Sequence, residues 1–140
     1  MRMEPTKIEE AATKDIRRDK LLNPYLFAEE GCIVATDGCL LVRLPVEVED
    51  GDDSGPVSID ALKAARKPAT KKLNGGQVSI KVNGSCAVQN GASYPRPEAC
   101  TFPNWKQVLP DPAREVIRIA FNVRKLVRVA EALGAETIVL

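Results

Sequence analysis

The reactive side chains available to this chain are carboxylates, lysines and thiols, because its 140 residues include no histidine. Without imidazole, neither a Ser-His-Asp triad nor a Cys-His pair can form, and zinc sites that need imidazole are excluded. The carboxylates nearest to predicted elements are Asp37 and Asp60, and turn chemistry and the dipole of a helix explain both. Gly75-Gly76 lacks the Gly-Lys-Ser/Thr continuation of a phosphate-binding loop. We therefore expect a protein that is not an enzyme and uses no cofactor.

The four cysteines form no Cys-x-x-Cys pair and have no histidine to complete a zinc site, so no metal is expected. Buried free thiols are the favoured interpretation, and disulfides and a catalytic thiolate are the alternatives. No apolar run approaches the roughly 20 residues that span a bilayer, and the amino-terminal stretch is charged and amphipathic rather than a secretory signal. We expect a cytoplasmic protein with no membrane partner.

Charge is strongly segregated along the chain, although 20 Lys+Arg nearly balance 19 Asp+Glu. Residues 21–60 carry nine acids and one base, Arg43, whereas residues 61–81 carry six bases and no acid. Such asymmetry favours a surface that meets a polyanion. Two solvated segments that differ in sign are the alternative.

Apolar spacing and turn residues predict a single α+β domain with antiparallel sheets and helices on one face. A capping box at Thr6 and Glu9 begins an amino-terminal helix, which with a linker occupies residues 1–23. A first βαβββ-like unit is predicted over 24–110 and the start of a second over 111–140. The predicted strands cover residues 24–28, 32–36, 39–45, 77–82, 85–89, 99–102, 116–121 and 136–140. Asp37-Gly38 and Asn83-Gly84 predict type I′ hairpin turns.

Two predicted helices present bases on the face opposite their apolar stripe. Ser58 begins a helix over 58–67 that Pro68 ends, and Asn122 begins a helix over 122–133 that Gly134 ends. The second apolar stripe contains Val123, Leu126, Val127, Ala130 and Leu133. The candidate DNA-binding residues are Lys63, Arg66, Lys67, Arg124, Lys125 and Arg128 on the helices, with Lys71 and Lys72 on the basic segment that follows the first helix. Ordinary solubilising bases are the alternative interpretation.

Four motifs in order between about residues 24 and 134 resemble the bacterial DNA sliding clamp, the beta subunit of the replicative DNA polymerase. They are Val34-Ala35-Thr36-Asp37-Gly38 before an apolar strand, Val57-Ser58-Ile59-Asp60-Ala61-Leu62, Phe102-Pro103-Asn104-Trp105 with Val108-Leu109-Pro110, and Phe121-Asn122 leading into Leu126. Cys39 stands where that family usually has a histidine. The resemblance covers roughly one of the three domains of a clamp chain.

The resemblance implies a DNA-clamp-like fold whose helices face duplex DNA, no catalytic activity, and contacts to the phosphate backbone without sequence preference. It also implies a polymerase or other replication or repair proteins as partners. A ring would need several copies or a different partner, and we expect a homo-oligomer that serves as an accessory of phage or mobile-element origin. No partner-binding residue is carried over from the family. A protein-interaction module that keeps the fold without binding DNA is the alternative function.

Phe102 and Trp105 have two interpretations. They could stack on nucleic-acid bases, but packing in a core or turn is favoured in a chain with 4% aromatic residues.

Overall fold

The computed structural model describes residues 1–71, 76–89, 91–108 and 122–134. In these ranges the strands are β1 (Arg2–Met3), β2 (Tyr25–Phe27), β3 (Cys32–Thr36), β4 (Leu41–Pro45), β5 (Gly55–Pro56), β6 (Val78–Asn83), β7 (Ser85–Val88) and β8 (Ser93–Pro95). The α-helices are α1 (Ile59–Lys71) and α2 (Val123–Leu133), and 3₁₀ turns lie at Ile8–Ala11, Ile16–Leu21, Ala28–Glu30 and Trp105–Val108.

The strands form two four-stranded antiparallel sheets, so the predicted α+β class with antiparallel sheets is confirmed. Sheet 1 has the order β1-β6-β7-β8, and sheet 2 has the order β4-β3-β2-β5. A β-bridge between Arg2 and Glu47 joins the two sheets at one border. Near β5, the Arg96 guanidinium donates hydrogen bonds to the carbonyls of Asp53 (2.9 Å) and Ser54 (2.7 Å). Arg96 therefore ties the segment that follows β8 to the edge of sheet 2.

One core lies between the sheets and the helices. Helix α1 packs against β6 and β7 of sheet 1, whereas α2 and the Ile8–Ala11 turn pack on sheet 2. Met1, Ile8, Leu26, Ile33 and Ile80 are fully buried in this cluster. Residues of the amino-terminal segment thus form part of the centre of the fold.

A second apolar cluster covers the outer face of sheet 2. Side chains alternate across a strand, so Cys32 and Val34 point away from the core that receives Ile33. Phe102 and Trp105 pack on them, with the Phe102 ring 5.2 Å from that of Tyr25. Both aromatic side chains are buried, at 8% and 6% exposure, as the packing interpretation predicted.

Both hairpins form as predicted, but the type I′ geometry is wrong at each. Thr36 pairs with Leu41, which leaves a four-residue loop, and within the described residues only glycines have positive φ, including Gly38 and Gly84. The Asp37 side chain shapes the first loop instead by accepting backbone hydrogen bonds. Local side-chain bonding therefore replaced the turn expected from the dipeptide alone.

The predicted amino-terminal helix is wrong. The chain forms a 3₁₀ turn whose N-cap, Lys7, makes no side-chain capping bond, and the Glu9 carboxylate is buried against Arg66 rather than capping a helix. Ile16, which follows Ile8, Ala11 and Ala12 at helical spacing in the sequence, is 81% exposed. Tertiary contacts to Glu9 outweighed the local capping pattern.

The helix boundaries are partly confirmed. Ser58 caps α1 by accepting a hydrogen bond from the Ala61 N–H, but α1 continues past Pro68. Asn122 caps α2 and Gly134 ends it in the left-handed conformation, as predicted. The expected edge strand over 99–102 does not form, and the strands predicted over 116–121 and 136–140 lie outside the described residues.

Candidate nucleic-acid interface and an apolar groove

The outward face of α1 carries Lys63 and Lys67, both exposed as predicted. They line an open groove with Asp60 of the same helix and the partly buried Tyr94 of β8. The α1 register places these lysines away from Ala61, Leu62 and Ala65, which enter the core. This surface offers two ammonium groups beside a phenol, and Asp60 reduces its positive charge.

Arg66 does not point outward as expected. Its Nη1 lies 2.5 Å from Glu9 Oε1 and donates a hydrogen bond to the Thr6 carbonyl at 3.0 Å. The side chains are 19% exposed for Arg66 and 3% exposed for Glu9. The guanidinium therefore neutralises a buried carboxylate, and its assignment as a DNA-binding residue stays a prediction.

Arg128 of α2 is likewise turned toward the fold. Its Nη2 donates to the Glu10 carbonyl at 2.7 Å, and its Nη1 donates to Asp37 Oδ2 at 2.9 Å. The Arg128 Nε also donates to the Glu10 carbonyl at 3.2 Å, and Nη2 donates to the Ala12 carbonyl at 3.4 Å. Arg66 of α1 and Arg128 of α2 thus both bind the amino-terminal segment and attach it to the two helices.

The orientation of α2 differs from the predicted stripe. Ala132 is fully buried with Val129 and Leu133 against the core, whereas Val127 is 52% exposed. Because Arg128 is held by carbonyls and Asp37, the helix presents its Arg128 side to the fold. The rotation of the helix therefore combines apolar packing of Ala132, Val129 and Leu133 with Arg128 contacts that hydropathy does not register.

The remaining candidates on α2 are Arg124, which is exposed, and Lys125, which is half-buried. The side chain of Lys71 and all of Lys72 lie outside the described residues. Among the predicted positions, the outward bases of the described part are therefore Lys63, Lys67, Arg124 and, in part, Lys125.

An apolar groove of about 310 Å³ lies beside the outer cluster of sheet 2, and sequence reasoning did not identify it. One wall is the loop from Gly38 to Leu41, and the other is the 102–108 segment, with Leu21 beside them. Val108 at its border is 70% exposed. Two motifs of the clamp resemblance, those at Asp37-Gly38 and Phe102–Trp105, lie next to each other here. Their presence in one chain is the sequence feature that could have indicated the groove.

Basic side chains border the groove. Arg43 and Lys106 each place their charge 5.8 Å from the centre of the Trp105 ring. Arg18 donates to the Asp37 carbonyl at 2.6 Å beside Gly38. Cation–π contacts of this kind are favourable by about 0.5–1 kcal/mol when exposed. Lys106 is also paired with Glu30 at 2.9 Å. The groove is thus apolar inside, and the basic side chains at its border that are not paired with a carboxylate in the described residues are Arg18 and Arg43.

Asp37 connects the groove to α2. Burial raises the pKa of its carboxyl, but hydrogen bonds from the Cys39 and Leu40 N–H groups and from Arg128 outweigh burial and hold the pKa below its ordinary value. Asp37 is therefore a carboxylate at neutral pH, and its charge stabilises the loop.

All four cysteines are free: two are buried, Cys39 is exposed and Cys100 is partly exposed. Cys32 and Cys86 are buried as expected, and burial raises the pKa of the Cys86 thiol. Cys39 is exposed on the groove wall, which corrects the expectation of burial there. In the described part of the chain, no three side chains of the metal-binding types lie together.

None of the described helices is both long and apolar enough to cross a bilayer. Comparisons of the chain with protein-family models, curated proteins and solved structures return no match.

Proposed function

We propose that this protein is a non-catalytic, clamp-like accessory of DNA replication or repair that binds duplex DNA through the outward faces of α1 and α2. The observation that supports the proposal is the set of outward bases, Lys63, Lys67, Arg124 and Lys125, on the two helices that the clamp resemblance turns toward DNA. Ammonium and guanidinium groups recognise phosphates without reading sequence. On this proposal the protein acts in the cytoplasm, and several copies are needed to encircle DNA.

The test is a titration of fluorescently labelled duplex DNA with the protein at several salt concentrations. Each phosphate contact contributes about 0.9 to the slope of log affinity against log salt, so four bases predict a steep dependence. Neutralising Lys63, Lys67 and Arg124 to methionine should lower the affinity and reduce the slope by about 3.

A matched control is Lys81→Met. Lys81 is exposed on β6, whose neighbouring residues Ile80 and Val82 face the core, so it projects from the side of sheet 1 opposite α1. The control should bind DNA like the unaltered protein. Absence of binding at low salt, or equal weakening by Lys81→Met, refutes the DNA proposal.

The apolar groove favours a second candidate function, the binding of a protein partner. A volume of about 310 Å³ suits one or two large apolar side chains of an extended peptide. Arg18 and Arg43 at the border would attract carboxylates that flank these side chains, whereas Lys106 is already paired with Glu30. We propose a short apolar peptide segment with acidic flanks as the occupant, carried by a replication protein such as a polymerase.

Peptides selected from a random library against the immobilised protein would be titrated by fluorescence of Trp105, the one tryptophan of the chain. Val108→Asp should abolish binding, because Val108 borders the groove and is 70% exposed. Val127→Asp is the control, since Val127 is 52% exposed on α2, outside the groove lining. Selected peptides without acidic flanks, or equal losses in both variants, contradict the groove proposal.

A further inference from the structure

The two carboxylate oxygens of Asp37 serve different contacts. Oδ1 accepts hydrogen bonds from the backbone N–H groups of Cys39 (2.8 Å) and Leu40 (2.9 Å), which shapes the loop between β3 and β4. Oδ2 accepts a hydrogen bond from Arg128 Nη1 at 2.9 Å. The carboxylate side chain is 14% exposed, so water screens this pair only partly. Asp37 therefore stabilises the loop that forms one wall of the groove and also connects this loop to α2.

Arg128 is itself fixed by the backbone. Nη2 donates to the carbonyl of Glu10 at 2.7 Å, and that residue belongs to the buried Ile8–Ala11 turn. A guanidinium whose N–H groups are bound to several acceptors has little freedom to change its position. The loop residues that line the groove, Gly38 to Leu40, are thus anchored through Asp37 to α2 and to the amino-terminal segment.

We infer that Arg128 is a positioning residue for the apolar groove, which it holds in shape through Asp37 without touching an occupant. The inference rests on the proposed groove function, but it concerns a residue that sequence reasoning assigned to DNA. Loss of the Asp37–Arg128 pair should release the loop and weaken peptide binding, although neither side chain lines the groove.

The exposed Cys39 thiol reports on the loop directly, because its own N–H is one of the two held by Asp37. Ellman's reagent would be applied to a Cys100→Ser protein, since Cys32 and Cys86 are buried and Cys100 is partly exposed. The Cys39 thiolate attacks the reagent disulfide, forms a mixed disulfide and releases one coloured thiolate. The rate of release measures the accessibility of the loop and needs no partner.

The variants are Asp37→Asn, which keeps an Oδ1 acceptor for the loop, and Arg128→Met, which removes the guanidinium. Both should accelerate the thiol reaction about three- to tenfold, and the double variant should be no faster than the faster single one, because they break one interaction. Arg124→Met, one turn earlier on α2 and exposed, should leave the rate unchanged.

Charge alone predicts a different result. Removing the negative charge of Asp37 favours the Cys39 thiolate and accelerates it, whereas removing the positive charge of Arg128 disfavours the thiolate and slows it. The inference is overturned if the two single variants change the thiol reaction rate in opposite directions or leave it unchanged. It is also overturned if the effects of the two substitutions are additive in the double variant. Urea unfolding of each variant confirms that it is folded. If Arg128→Met does not fold, Arg128→Lys carries the test: it keeps the positive charge but loses the planar set of donors, so positioning predicts a faster reaction and charge alone predicts an unchanged rate.

The two proposals fail separately. If no selected peptide binds the unaltered protein, the groove function is wrong, and the thiol rates still decide whether Arg128 positions the loop. If peptides bind but the thiol rates and the peptide affinity of Asp37→Asn equal those of the unaltered protein, only the positioning role is wrong.

Discussion

Replacing Arg66 with methionine distinguishes an arginine that maintains the fold from one whose main role is to bind DNA. The substitution keeps much of the aliphatic stem and removes the guanidinium that lies 2.5 Å from Glu9 Oε1. Glu9 would then lose its ionic partner in a site where its side chain is only 3% exposed. Its two carboxylate oxygens make no other hydrogen bond in the described part of the chain, so nothing else there compensates the charge.

The expected loss follows from the burial of the pair. Breaking a buried ion pair by removing one partner reduces the free energy of unfolding by about 3–5 kcal/mol. Because Arg66 is 19% exposed, the lower end of about 3 kcal/mol applies, and the lost bond to the Thr6 carbonyl adds about 1 kcal/mol. The two losses together are about 4 kcal/mol, which for a chain of this length lowers Tm by roughly 14 °C.

Urea unfolding followed by far-ultraviolet circular dichroism measures the effect. Lys63→Met, on the same helix but exposed, is the control and should change the free energy of unfolding by less than about 0.5 kcal/mol. Adding Glu9→Gln to Arg66→Met should restore part of the stability, because it removes the uncompensated charge. A loss below about 1 kcal/mol in Arg66→Met, or no recovery in the double variant, refutes the reasoning.

Three further predictions concern stability. Gly55→Ala should destabilise the fold by about 1–3 kcal/mol in urea, because φ is +147° and the new Cβ would overlap the Arg96 guanidinium; equal stability would contradict it. For Asp52, burial raises the carboxyl pKa, but bonds from the Met1 ammonium and two backbone N–H groups lower it overall. A lowered folded-state pKa gives stability that is present above about pH 4 and lost as pH falls through the folded value, so Asp52→Asn should flatten the acid limb of urea stability against pH. Phe102→Ala should cost about 3–5 kcal/mol and shift the fluorescence of Trp105, whereas an unchanged spectrum would place Phe102 outside the cluster.

The elements that local signals specify were predicted well. The β3–β4 pair follows from alternating apolar residues around Asp37-Gly38, and α2 follows from the cap at Asn122 and the left-handed Gly134. These signals depend on residues within a few positions of one another, so they can be read without knowledge of tertiary contacts. The turn at Asp37 differed because its carboxylate bonds to the loop and to Arg128, which is distant in sequence.

The amino-terminal segment shows the opposite case. Thr6 and Glu9 have capping-box spacing, yet Glu9 is buried against Arg66, which lies far along the chain. Helix signals of this kind are worth about 1 kcal/mol, which is less than the roughly 1.5–3 kcal/mol gained by burying a side chain such as Ile8 in the core. A local pattern therefore could not reveal the turn at Ile8–Ala11.

The sequence by itself determined that the chain is an α+β protein, that Lys63, Lys67 and Arg124 are outward bases, and that histidine chemistry is absent. Only the tertiary structure decided that Arg66 and Arg128 face inward and that the loop at Asp37 and the 102–108 segment form a groove. A hydropathy scale gives every arginine the same value. Which arginine turns into the fold depends on which guanidinium can reach a buried carboxylate or a set of backbone carbonyls. Such partners come from distant parts of the chain and are brought together only by packing.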